Sequence, residues 1–544
     1  MRYVLCIDDD REVLDTLARD LSWLGPEHRL ECCQNAAEAD DLLTEIEAQG
    51  DALALVICDQ VMPGESGVQF LERLHARAPT ARKVLLTAYA GLASAVHGIN
   101  RSGLSRYLEK PWQPESLRHT LTELLEDYAC QHAGDPALDQ FARRDGPDLY
   151  AKVEAFSSHF AELRREGFYF WQRPLASGCE HVVRMPDGRS LLMLSSNNYL
   201  GLTTHPRVLE AARQALERFG SGTGAVPLLS GTLELHGQLE QRLAALKGGQ
   251  ACCLFPTGYS ANVGILSALA RDTDVIFLDR LVHASIVDGA RACGARIRTF
   301  HHNRPDDLER KLTAESRRSP RCGRLVVVDA VYSMDGDIAP LPELLQVAHG
   351  HGARVMVDEA HSTGVLGERG RGIAEHFGLK EPIDLVMGTL SKALGSLGGF
   401  CVAPFPVVDY LRHYARSHIF STSLPPATTA ASVAALDVLE AEPERVANLR
   451  ARSQRVRARL QAAGLDTGPS QTAIIPIIVG DQTRLARMGK DLYARGLYLN
   501  SVYYPAVPRE QCRLRLSLMA THTEEELDAA CDTIVEIAHR HGLL

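Results

Sequence analysis

The chain has 544 residues, 45% of them apolar and 23% charged, with a formal net charge of −10. That length is too great for one hydrophobic core and calls for three or four structural units. The mild acidity argues against nucleic-acid binding as the main function, and no apolar run reaches the roughly 18 residues needed to span a bilayer.

The opening "MRYVLCIDDD" does not read as a signal peptide, because its short apolar run is closed by three acids. The 13 cysteines are scattered and form no CxxC pair. Several, such as Cys6 and Cys58, sit inside apolar runs, so reduced thiols in a cytoplasmic protein are expected.

Residues 1–125 alternate short apolar runs with amphipathic patterns. "YVLCI", "LALVIC" and "RKVLLTA" read as buried parallel strands, and "EVLDTLARDLSWL" and "VQFLERLHARA" as the helices between them. This predicts a small doubly wound α/β domain, whose ligands gather at the carboxyl ends of the strands. The first strand ends in Asp8, Asp9 and Asp10, a middle one in Asp59, the next in Thr87 and the last in Lys110. Each alone is a good helix cap. Together they form a rim of crowded carboxylates that a hard divalent cation such as Mg²⁺ would join, with Thr87 and Lys110 left to serve an added anion.

The spacing D-x-x-M-P-x-x-x-G from Asp59 to Gly67 completes the pattern, and residues 1–125 resemble a response-regulator receiver domain of flavodoxin-like fold. The resemblance makes Asp59 the phospho-acceptor for a sensor histidine kinase. It assigns Mg²⁺ to Asp9, Asp59 and the Val61 carbonyl, with Asp8 assisting. Thr87 and Lys110 would bind the phosphoryl group, and Tyr107 would be the rotameric switch.

Residues 126–150 are rich in turn formers and charge with weak periodicity, and read as a linker. From 151 to 544 strands and helices alternate again, with "LVVVDAV" and "ARVMVDEA" as further parallel strands. Lys392 stands apart from other charges in "LVMGTLSKALGSLGG". Such a lysine either snorkels to water or keeps a neutral, reactive amine in a dry pocket.

Its company decides between these. "RVMVDEAHSTGVLG" ends a strand in Asp358 and continues to His361; "VIFLDRLVHASIVDG" holds His283; "CLFPTGYSANVG" makes a turn at Thr257, Gly258 and Tyr259. "CRLRLSLMATHT" alternates arginine with leucine, which puts Arg513 and Arg515 on one strand face. Pyridoxal phosphate needs such a set. A lysine forms the Schiff base, and a carboxylate keeps the pyridine nitrogen protonated. A helix start receives the phosphate, and an arginine takes the substrate carboxylate.

"SSNNYLGL", "LSGTLELHGQLEQRLA", "VYSMDGDIAPL", "DEAHSTGVLGERGRG", "GTLSKALGSLGG", "FSTSLPP" and "YYPAVP" follow in order. Through them residues 151–544 resemble the α-oxoamine synthases, fold-type I enzymes of pyridoxal phosphate. The resemblance implies an N-terminal segment (151–200), a large doubly wound cofactor domain (about 201–430) and a smaller C-terminal α/β domain (about 431–544). It makes Lys392, His283 and Asp358 catalytic: Lys392 carries the cofactor, His283 stacks on the ring and Asp358 pairs with the pyridine nitrogen. His361 and Ser333 would approach the phenolic oxygen. Thr257, Gly258, Tyr259 and Thr389 would meet the phosphate. Ser421 and Thr422 would reach the phosphate of a neighbouring subunit, implying a homodimer with shared sites. Asn198 and Arg515 would face the amino acid.

The implied reaction is a decarboxylative condensation of an amino acid with an acyl thioester to an α-aminoketone. Val226 and Pro227 stand where the family usually has a small residue and an arginine, which leaves the acyl carrier open between CoA and acyl carrier protein. Fusion to a phosphate switch implies regulated activity, though a receiver that only localises or dimerises the enzyme stays open. Two rival readings are a non-catalytic sensor and a cofactor enzyme of another kind, an aminotransferase or aldolase. The linker shows no DNA-binding helical segment to support the first, and "HSTGVLGERGRG" and "RLRLSLMATHT" speak against the second.

Overall fold

The computed structural model describes residues 2–25, 28–48, 51–87, 104–131, 172–504 and 506–544, with single positions between 148 and 165. The chain divides into two compact units, Met1–Glu154 and Ala155–Leu544.

The first unit is built on a parallel sheet of order β2-β1-β3-β4-β5. Its strands are β1 (Arg2–Ile7), β2 (His28–Cys33), β3 (Ala52–Asp59), β4 (Arg82–Thr87) and β5 (Arg106–Glu109). β3 lies at its centre, buried from Leu53 to Asp59, which explains its unbroken apolar run. Separate apolar clusters cover the two faces, Phe70, Leu71 and Leu74 in one and Leu14, Leu17, Leu117 and Leu121 in the other. A side chain at Gly67 would place its Cβ 2.0 Å from the Asp59 carbonyl oxygen, so the glycine of the Asp59–Gly67 spacing is fixed by close packing. The last helix runs from Pro114 to Gln131, so the boundary read at 125 cuts a helix. Residues 132–147 of the expected linker lie outside the described residues.

The second unit centres on a seven-stranded sheet of order β10-β9-β11-β12-β13-β14-β8. The strands are β8 (Ala251–Phe255), β9 (Val275–Asp279), β10 (Arg296–Phe300), β11 (Arg324–Asp329), β12 (Arg354–Asp358), β13 (Leu385–Thr389) and β14 (Gly399–Ala403). Val326, Val327 and Val328 of β11 are fully buried, each contributing roughly 1.5–3 kcal/mol relative to exposure.

One strand departs from the parallel expectation: β14 runs antiparallel to both β13 and β8. Only residues 390–398 join β13 to β14, too few for the crossover of about a dozen residues that a parallel pair needs. That short loop carries Lys392.

Strands β6 (Val182–Arg184) and β7 (Ser190–Met193) form a small sheet with β16 (Leu497–Tyr498). The segment before residue 200 thus pairs with the C-terminal part of the chain. β15 (Ile474–Ile478), β17 (Asn500–Val502) and β18 (Arg513–Ser517) form the remaining antiparallel sheet, with β18 in the middle.

Candidate active site

Three neighbouring strands, β9, β11 and β12, end in the buried carboxylates Asp279, Asp329 and Asp358. The register sets Asp329 beside Asp358. Carboxylates so close cannot all stay charged without compensation. Burial, and next the neighbouring Asp358, push the Asp329 pKa well up and disfavour its charged form. Asp329 has a long bond from the His283 N–H at 3.4 Å, whereas Asp358 has two close donors: its Oδ2 accepts from the Asn262 amide at 2.8 Å and its Oδ1 from the Ala360 N–H at 2.8 Å. Asn262 and Asp329 belong to this cluster and were not among the residues expected from the sequence. The ending of "RLVVVD" could have flagged Asp329; nothing flagged an asparagine in mid-helix.

Lys392 is partly buried, and desolvation pulls its amine down to about 8, against the attraction of Asp358 and Asp329. The amine is therefore easily deprotonated, as a Schiff-base lysine requires. His283 caps the helix Ala284–Ala292, and its Nδ1 is bound to the Ser285 hydroxyl at 2.7 Å. That hydroxyl also accepts from Asn262 at 2.9 Å, so one asparagine links His283 to Asp358. His361 is buried, its Nδ1 2.7 Å from the Tyr199 hydroxyl, and desolvation followed by the charges of Lys392 and Arg515 holds it well below its usual range.

Thr257 caps the helix Gly258–Leu269 through a capping box with Ser260. A Cβ on Gly258 would lie 3.1 Å from that of Thr389, and one on Gly399 would lie 2.4 Å from the Thr257 carbonyl oxygen. The turn is thus a cradle open at a helix N-terminus, chemistry suited to a phosphate. The Tyr259 hydroxyl donates to Asp288, so what Tyr259 offers this cradle is its backbone N–H. With an acidic partner at Asp358 and a deprotonatable Lys392, the donor set fits pyridoxal phosphate.

Arg515 Nε donates to the Ser333 carbonyl at 2.6 Å and Nη1 to the Ser517 hydroxyl at 2.8 Å. These bonds fix a buried guanidinium near the Tyr199 phenol, whose pKa burial pushes up to about 12 while Arg515 draws it back. Ser421 and Thr422 line a cavity of about 290 Å³ with Phe255, Pro256, Pro227 and Leu228. Lys392 does not line it.

Asn198 is tied into the loop that carries it. Its amide nitrogen donates to the Cys179 carbonyl at 3.0 Å and to Thr203 at 2.8 Å, and its oxygen accepts from Leu202 N–H at 2.9 Å. The side chain is buried and braces this loop.

In the first unit, Lys110 lies 2.6 Å from Asp8 and 2.5 Å from Asp59, both buried. Desolvation opposes the charge on Lys110, but the hydrogen bonds it donates to Asp59 and Asp8 raise its pKa overall. Asp10 is a helix cap, while Asp9 is exposed. Thr87 ends β4, and Tyr107 on β5 is 51% exposed. Among the described residues no group of three His, Cys, Asp or Glu side chains stands ready to hold a metal ion.

Comparison with known proteins agrees with this geometry. The family "Aminotransferase class I and II" matches residues 189–534, and "Response regulator receiver domain" matches residues 4–122. An 8-amino-7-oxononanoate synthase of Geotalea daltonii is 45% identical over 72% of this chain and 99% of its own length. A serine palmitoyltransferase of Sphingobacterium spiritivorum is 43% identical over 71% of this chain and 96% of its own. The chain belongs to the α-oxoamine synthase family. A solved serine palmitoyltransferase of S. paucimobilis with a bound PLP–myriocin aldimine is 35% identical, superposes with a TM-score of 0.70, and covers 73% of this chain and 100% of its own. This α-oxoamine synthase is therefore a pyridoxal-phosphate-dependent acyltransferase of fold type I, carrying a receiver domain at its N-terminal side. No helix among the described residues is long and apolar enough to cross a membrane.

Proposed function

We propose that the enzyme condenses an amino acid with an acyl thioester, carried by CoA or acyl carrier protein, and releases CO₂, the free thiol of the carrier and an α-aminoketone. The observation that carries this reading is the convergence of Lys392, Asp358 and Arg515, with Lys392 drawn down to about 8. Pyridoxal phosphate, when bound, supplies an electron sink for the carbon next to the amino group. Lys392 would hold the cofactor and then, freed by the incoming amino acid, remove the α-proton with its neutral amine. Asp358, itself held by Asn262 and Ala360, would keep the ring nitrogen protonated. His283 would cover the ring, and His361 and Ser333 would stand near its oxygen. Thr257, Gly258, Tyr259 and Thr389 would receive the phosphate. Arg515 would grip the substrate carboxylate.

The exposed Leu228, Leu229 and Phe420, at 43%, 82% and 69%, support a homodimer in which Ser421 and Thr422 reach the partner's cofactor. In the receiver, phosphorylation of Asp59 by a sensor histidine kinase would draw on Lys110 and Thr87, with Tyr107 answering. Asp8, Asp9 and Asp59 would hold Mg²⁺, a hard ion suited to carboxylate oxygens, whose charge would offset theirs beside the phosphoryl group.

Lys392→Ala and Asp358→Ala should each abolish turnover while circular dichroism stays native. Normal turnover by either purified variant contradicts the assignment.

A further inference from the structure

Behind the site lies a cluster that the reading above does not use. His302 sits between two buried carboxylates, its Nδ1 3.0 Å from Asp279 and its Nε2 2.8 Å from Asp337. Burial alone would pull the imidazolium down, but the two carboxylates overcome it and hold His302 at about 10. The next residue adds to the clamp. Asn303 N–H donates to Asp279 at 2.8 Å and its amide to Asp337 at 2.7 Å. Asn303 adopts a φ of 54°, a left-handed conformation that an unconstrained side chain seldom takes.

The two carboxylates belong to different parts of the site. Asp279 ends β9 and accepts from Leu281 N–H at 2.9 Å, which starts the turn that delivers His283. Asp337 closes the turn Tyr332–Asp337, where Tyr332 N–H donates to the Asp337 carbonyl at 3.1 Å. That turn presents the Ser333 carbonyl to Arg515, while Arg513 grips Asp335 at 2.6 Å. The Tyr332 ring meets His302 edge-on at 4.3 Å.

Resting on the proposed roles of His283 and Arg515, we propose that His302 is a positioning residue. Its imidazole, held between Asp279 and Asp337, locks the His283 turn to the Ser333 turn. The ring-covering group and the carboxylate-binding group then keep one fixed separation. His302 touches neither cofactor nor substrate; it acts through Asp279 and Asp337.

The test compares His302→Ala, His302→Gln and Asp337→Asn with the parent holoenzyme. Removing His302 leaves two buried carboxylates facing each other, so both turns loosen. The dissociation constant for pyridoxal phosphate, read by cofactor fluorescence, and the KM for the amino acid should each rise roughly tenfold in His302→Ala. His302→Gln, whose amide still reaches one carboxylate, should fall between, and kcat should change less than KM. If His302→Ala does not fold, His302→Gln and Asp337→Asn decide. Folded variants whose dissociation constant and KM stay within about twofold of the parent, with only melting temperature lowered, would overturn the proposal. Failure of the parent itself to take up pyridoxal phosphate would instead strike the functional reading on which the proposal rests.

Discussion

The Asn262 amide donates to the Asp358 carboxylate at 2.8 Å and, through its second hydrogen, to the Ser285 hydroxyl that holds His283. One buried asparagine therefore ties the Asp358 carboxylate to the His283 imidazole, the two groups that would pair with the pyridine nitrogen and cover the ring of a bound cofactor. Asn262→Ala removes one of the two donors that hold the Asp358 carboxylate and leaves Ser285 free to turn. We expect kcat to fall roughly tenfold, with the fold intact by circular dichroism. An unchanged kcat in this variant would show that the Ala360 N–H alone suffices for Asp358.

Lys392, brought down to about 8 by burial, predicts how the apo-protein takes up its cofactor. The neutral amine is the reactive form. The rate of pyridoxal phosphate attachment should rise with pH through one ionisation near 8 and then level off, when measured by stopped-flow absorbance. The stability of the apo-protein carries the matching sign. The unfolded chain binds this proton at a higher pH than the folded chain. Stability from this group thus declines as pH falls from 10.5 to about 8, and is flat below. An attachment rate flat across that range would contradict the assignment of Lys392.

The fold was largely readable because its strands are short apolar runs that end in chemistry-bearing residues, as at Asp59, Asp358 and Thr389. What periodicity could not show was contact between distant segments. The antiparallel turn of β14 followed from a short loop, visible in the spacing between β13 and β14 but overlooked in an otherwise parallel pattern. The bracing bonds of Asn198 to Cys179, Leu202 and Thr203 were equally invisible, because an asparagine beside a glycine turn reads the same whether it braces or binds. Asn262 and His302 were illegible for the same reason. Their partners lie 96 residues away at Asp358 and 35 away at Asp337.

Arg515 offers a planar fork fixed by Ser333 and Ser517. Arg515→Lys keeps the charge and loses the fork. The KM for the amino acid should rise roughly 10- to 100-fold, while pyridoxal phosphate still binds. A KM equal to the parent's, measured by product formation, would place the substrate carboxylate elsewhere.

In the receiver, Lys110 is the cation that Asp8 and Asp59 share. Lys110→Met leaves two buried carboxylates without it, and should destabilise this unit by about 3 kcal/mol. Added Mg²⁺ should restore part of the loss in a thermal melt of the full chain. No recovery with Mg²⁺ would argue against a divalent site there.

Beryllofluoride bound at Asp59 mimics the phosphoryl group and tests whether the two units communicate. The expected outcome is a change in turnover or in dimer state, read by product assay and by light scattering. If neither changes, the receiver is no regulator of this enzyme.

The central claim is the decarboxylative condensation. Its most direct test is stoichiometric: the protein loaded with pyridoxal phosphate is given single amino acids labelled in the carboxyl carbon, each with a panel of CoA and carrier-protein thioesters. Labelled CO₂, free thiol and aminoketone are then counted together. Equal amounts of all three with one amino acid and one thioester are the predicted result. Transfer of the amino group to a keto acid, with the label retained and no thiol released, would contradict it.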